Sequence, residues 1–134
     1  MSFDITVTPL SGLHLEMPEE DSLLDVWFEQ SKKMWLYDSF LGGVGTVGEY
    51  WCSPAKRLGL PFLARIYQDG LKVSATEELE QLSKELDTLE AHWHTLKFPE
   101  WPPNFLEFRL LEPMGYFREA LCVALEHRAV LIVS

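Results

Sequence analysis

Leu79, Leu82, Leu86, Leu89, Trp93 and Leu96 recur at alternating steps of three and four, with almost only polar residues between them. That spacing predicts one long helix over residues 74–97, apolar along a single stripe and wet elsewhere. Ser74 and Glu77 stand at the capping-box interval, where the serine oxygen takes the N–H at N3 and the glutamate returns to the cap N–H. Burying the stripe is worth on the order of 10 kcal/mol gross, before the entropy of ordering the chain. The rest of the chain is expected to pack against it.

Residues 3–8 alternate, with Phe3, Ile5 and Val7 against Asp4, Thr6 and Thr8, and residues 13–17 do the same through Leu13, Leu15 and Met17. With Pro9-Leu10-Ser11-Gly12 between them they read as a hairpin. Pro18 and the acids after it open a helix to about Met34 or Trp35, its inner face Leu24, Trp27, Phe28, Ser31 and Trp35, with Lys32 and Lys33 placed where the dipole favours cations. Gly42, Gly43, Gly45, Gly48, Pro54 and Gly59 break up residues 38–60, which are expected to form a long surface loop with a short helical turn after Ser53-Pro54. In such a loop Phe40, Tyr50 and Trp51 either make contacts or tuck into the core. Pro61 suits the first position of a short helix, Phe62 to Gln68, closed by Gly70. The rival reading, a tight hairpin turn at Asp69-Gly70, leaves only three residues for a return strand before Ser74.

Pro99, Pro102 and Pro103 then force an extended crossing that carries Trp101. Residues 105–111 read as a strand with Leu106, Phe108 and Leu110 on one face, and Met114 to His127 as a helix on Phe117, Ala120, Leu121, Ala124 and Leu125. Ala129 to Val133 is an unbroken apolar run, typical of a central strand. The predicted order is β-β-α-loop-α-α-β-α-β. It describes a single α+β domain over 1–134, with a small mixed or antiparallel sheet of about four strands packed by three to four helices.

Composition narrows the functional classes. A chain of 134 residues is long enough for a core without staples. No apolar run approaches the length of a membrane span, and the start of the chain lacks the pattern of a secretory signal. Cys52 and Cys122 lie far apart and read as reduced, buried thiols, which with the missing signal suggests a cytoplasmic protein. The net charge of −10 is concentrated in residues 16–29, which hold six acids and no base, and in residues 77–90, which hold six acids and Lys84. Such a field disfavours nucleic acid and anionic membrane and favours a basic protein partner. Two solvated helix faces are the plainer reading.

Candidate chemistry is sparse. Gly43 to Gly48 matches GxGxxG, but a dinucleotide site needs a strand before it and a helix after it, and a plain loop is expected here. His92 and His94 would point about 200° apart on a helix, and His14 with Glu16 makes too few ligands for zinc. Cys122 reads as a packing residue; Cys52 is the more accessible but has no histidine near it in sequence. No catalytic, cofactor-binding or metal-binding residue is assigned. A leucine seam between two copies would set Glu85 against Glu90, so packing within the chain is preferred. The expected partner-binding residues are Glu19, Glu20, Asp21, Asp25 and Glu29, with Trp51 and Trp101 as aromatic anchors.

From Leu60 to Ser134 the layout runs through Pro61, Phe62, Leu63 and Ile66, then Ser74, Glu78, Leu79, Leu82, Glu85 and Leu86. A proline-broken crossing follows, then Phe117, Ala120, Leu121, Ala124 and Leu125, and finally Val130 to Val133. This half resembles a group of small acidic bacterial proteins that includes immunity proteins of polymorphic toxin systems. The resemblance implies a non-catalytic inhibitor of a cationic toxin, acting without cofactor. Its matching positions are core and cap residues, so it transfers no functional residue. The alternative is a small-molecule-binding or hydrolytic domain with the glycine-rich 40–53 segment as a lid.

Overall fold

A computed structural model describes residues 2–9, 35–95 and 101–134. Strand β1 (Ser2–Thr8) is followed, among these residues, by β2 (Tyr37–Gly43) and helix α1, which runs without interruption through Val44–Thr46, a π-helical stretch Val47–Cys52, and Ser53–Leu58. Two short helices, α2 (Pro61–Ala64) and α3 (Ile66–Asp69), lead to β3 (Leu71–Val73) and the long helix α4 (Thr76–Thr95). Helix α5 joins a π-helical stretch, Leu106–Leu111, to Glu112–His127, and β4 (Val130–Val133) completes the sheet. The strand order is β2-β1-β4-β3, antiparallel throughout. An α+β fold with a four-stranded sheet is what the hydrophobic pattern predicts. The predicted strand over 13–17 and the helix from Pro18 lie outside the described residues.

Register places the apolar positions of the strands together. Ile5 pairs with Val133 and Val7 with Leu131, while Leu71 and Val73 pair with the same two residues from the other side. Paired residues share a face of the sheet, and all six are buried in one core with the helices. The stripe of α4 faces that core, with Leu79, Leu82, Leu86, Leu89 and Trp93 buried. The cap of α4 lies one residue later than the sequence suggests. Ala75 accepts the first helical bond from the Leu79 N–H (3.0 Å), and Glu78 takes the Ala75 N–H at 3.4 Å. Alanine has no oxygen to return, so only half a capping box forms.

Three expectations are corrected. Residues 38–60 form β2 and α1, so no loop is available to act as a lid over 40–53. Glycine there serves close packing. A Cβ at Gly42 would lie 3.3 Å from Val47 and one at Gly48 3.1 Å from the Tyr67 ring, and neither residue has a positive φ. Residues 105–111 are helical, because the stripe of Leu110, Met114, Phe117, Leu121 and Ala124, all buried, continues at helical spacing across Pro113. The three residues before Ser74 do form a strand: Leu71 to Val73 pair with β4, and Gly70 turns the chain into them with φ 69°.

Both π-helical stretches end two residues before a proline, Pro54 in α1 and Pro113 in α5. A proline inside a helix gives no N–H to the carbonyl four residues back, and its ring crowds that carbonyl. Widening the turn relieves the crowding. In α1 the affected carbonyl belongs to Tyr50, and the Trp93 indole donates to it at 2.9 Å, which ties α1 to α4.

The thiols are unpaired as expected, but their relative exposure is the reverse of expectation. Cys52 is 3% exposed and Cys122 is exposed, and both are free. Cys52 follows Trp51 on the inward side of α1, and burial pushes its thiol pKa up. Glu85, counted above among surface acids, is only 4% exposed. Its Oε1 accepts the N–H groups of Phe62 (3.0 Å) and Leu63 (3.1 Å), and Gln81 Nε2 donates to Oε2 at 3.1 Å. A carboxylate on α4 thereby caps the start of α2. No described helix is long and apolar enough to cross a membrane.

Candidate functional site

The end of β2 and the start of α5 enclose an open groove of about 420 Å³. Phe40, Gly42 and Gly43 form one wall. Arg109, Glu112, Pro113 and Tyr116, spaced by three and four along α5, form the other with Phe108. An adjoining hollow of about 530 Å³ shares Thr46, Phe108 and Arg109. Three local irregularities meet here. Asp4 pairs with Phe40 and Phe3 with Gly42, which leaves Leu41 as the extra residue of a β-bulge. The π-helical stretch of α5 supplies Phe108 and Arg109 to the groove, and that of α1 begins just after Thr46 at its rim. Insertions of this kind re-aim side chains and recur beside binding sites. Leu41 is fully buried, whereas Phe40 is 48% exposed and Phe108 56% exposed.

The polar groups are ordered by α5. Tyr116 donates its phenol to Glu112 Oε1 at 2.6 Å, and Tyr37 on β2 donates to Glu119 Oε2 at 3.1 Å. Arg109 stands one turn from Glu112 but pairs with no carboxylate among the described residues, whose salt bridges join Arg118 to Asp87 and Glu90. The hydrogen bond to Glu112 raises the Tyr116 pKa, and burial, reinforced by Glu119, pushes Tyr37 up to about 12.

A group whose folded pKa is raised contributes stability that is complete below its unfolded pKa, about 10 for tyrosine. That contribution is lost as pH climbs through the folded value. Ultraviolet titration of tyrosinate should therefore lose its highest-pH step in Tyr37→Phe. The same variant should lose less stability than the parent protein between pH 10 and pH 12. A titration curve whose last step survives the substitution would mean that another phenol is the protected one.

The sequence-predicted site residues are not brought together. Glu19, Glu20, Asp21, Asp25 and Glu29 lie outside the described residues. Trp51 cannot anchor a partner from the surface, because it is fully buried, edge-on to Trp93 at 4.8 Å and stacked on Phe117 at 5.9 Å. Trp101 is half-buried against Tyr50 (5.4 Å) and Phe105 (5.0 Å), and Phe105 also lines the hollow beside the groove. Of the aromatics expected in the 38–60 segment, Phe40 alone stands out in the groove. Arg109, Glu112 and Tyr116 were not singled out by sequence reading, which split them between a predicted strand and a helix; their three-four spacing was the available signal.

The GxGxxG stretch does lie between a strand and a helix. However, β2 has one described neighbour, β1, and runs antiparallel to it, so the parallel βαβ unit of a dinucleotide site is not formed. Among the described residues no group of three His, Cys, Asp or Glu side chains is placed to hold a metal ion. The groove is lined by neither thiol nor imidazole. What it offers is stacking, hydrogen bonding and ion pairing. No family model matches the chain. No curated protein and no solved structure is detectably similar to it either.

Proposed function

We propose that this chain is a non-catalytic binding protein of the immunity type, which docks on a basic protein partner in the bacterial cytoplasm and blocks it. The observation that carries this reading is the orientation of α4. Its leucine stripe is buried while Glu77, Glu80 and Asp87 stand exposed on the outer face with Lys84 as the one lysine or arginine of that helix. The net charge of −10 supports it, since a field of that sign steers a basic partner into fast encounter while packed apolar contacts set the lifetime of the complex. The acids Glu19, Glu20, Asp21, Asp25 and Glu29 belong to the proposed docking surface, and Trp101 is a second candidate contact.

The test is to express the gene adjoining this one in a host that lacks both, alone and together with this chain. Growth arrest by the neighbour, relieved by co-expression, is the expected result. The triple reversal Asp21→Lys, Asp25→Lys, Glu29→Lys should then slow association by about tenfold at low salt. A neighbour that is harmless, or arrest that this chain does not relieve, would remove the immunity reading; an unchanged association rate would remove the patch.

A further inference from the structure

The groove between β2 and α5 carries an inference that does not depend on the basic partner. We propose that it is a binding site for a free aromatic α-amino acid, with the α-carboxylate on Arg109, the α-ammonium on Glu112 and the ring between Phe40 and Phe108.

The charge pattern selects this class. Among the described residues Arg109 is the one cationic side chain lining the groove, and none of their carboxylates forms a salt bridge with it although Glu112 is one turn away. Glu112 is instead held by the Tyr116 phenol at 2.6 Å, which fixes one oxygen and leaves the other for a donor. A guanidinium and a carboxylate one helical turn apart, about 5–6 Å between Cβ atoms, present opposite charges to a single small molecule. A zwitterionic amino-acid head matches both; a lone carboxylate would meet the Glu112 charge, and a lone amine would meet Arg109. Guanidinium also pairs with carboxylate in a two-point geometry.

The apolar half of the ligand is set by the two phenylalanines, which are half exposed rather than packed. Aromatic rings favour offset or edge contacts with a third ring. Gly43 leaves the floor open, since a Cβ there would meet nothing within 4 Å. The volume of about 420 Å³ lies within the range of small-molecule sites.

The probes are L-phenylalanine, phenylacetate (no ammonium), phenethylamine (no carboxylate) and L-alanine (no ring), titrated into the full chain labelled with ¹⁵N. Saturable shifts of the Gly42, Gly43 and Thr46 amides with L-phenylalanine are expected, and the other three probes should bind at least about tenfold more weakly. Arg109→Gln should erase the preference for phenylalanine over phenethylamine, and Glu112→Gln the preference over phenylacetate. Phe108→Ala should weaken every ring-bearing probe. All three side chains are exposed, and melting curves of the variants check that the fold is kept. Absence of saturation with L-phenylalanine up to roughly 10 mM, shifts confined to other residues, or equal binding of phenylalanine and either truncated probe would overturn the assignment.

Discussion

Trp51→Ala should destabilise the protein by about 4 kcal/mol, the range seen when a large buried aromatic is truncated and its cavity does not collapse. Trp51 has no exposed surface and is wedged between Trp93 and Phe117, so its removal empties the junction of α1, α4 and α5. Urea unfolding followed by far-ultraviolet circular dichroism measures the loss, which should also lower the melting temperature by more than about 10 °C for a domain of this size. Trp51→Phe should cost much less, roughly 1 kcal/mol. The indole Nε1 is buried without a hydrogen-bond partner among the described residues, and phenylalanine removes that donor along with some volume. A loss below about 1 kcal/mol for Trp51→Ala would mean that this side chain is not packed in solution and would return it to the surface candidates.

Glu85→Ala should cost about 3 kcal/mol, because it leaves the Phe62 and Leu63 N–H groups without their charged acceptor in a largely buried site. The hydrogen bonds involved are charge-assisted and join elements far apart in sequence. Glu85→Gln keeps one carbonyl oxygen for the two amides and should lose about half as much. The cycle of Glu85→Ala with Gln81→Ala isolates the weaker contact from Gln81 Nε2 at 3.1 Å, and a coupling near 0.5 kcal/mol is expected. Melting curves at neutral pH give all four values. Equal stability of the Glu85→Ala and parent proteins would show that α2 is capped by something other than this carboxylate.

The parts of the fold legible in the sequence were those where one periodicity ran unopposed. Ile5 and Val7 of the first alternation, Leu79 to Trp93 of the α4 stripe, and Val130, Leu131 and Val133 of β4 are buried as their patterns predict, although Thr8, on the polar side of that alternation, is buried as well. The failures share a cause. Gly42 to Gly48 read as breakers and the segment before Pro113 as a strand, but glycine also allows close contact, and proline is tolerated where the preceding turn widens. Neither effect depends on local sequence alone; each needs the neighbour, Val47 and Tyr67 in one case and the buried stripe of α5 in the other. Glu85 was hidden among acids for the same reason, since only the approach of Pro61 and its neighbours distinguishes it from Glu80. The groove was half visible. Phe40 was a candidate contact, but Arg109, Glu112 and Tyr116 fell on both sides of a strand–helix boundary that does not exist.

The two inner strands of the sheet, β1 and β4, are contributed by opposite ends of the described sequence, and they hold β2 and β3 on either flank. A ribosome that has not yet reached Val130 has therefore made the sequence of every described helix but no closed sheet. Chains halted there would present the bare hydrogen-bonding rims of β1 and β3 to one another, which is the geometry that seeds aggregates between molecules. Quality control in the cell should accordingly treat a loss of the last few residues far more harshly than their number suggests.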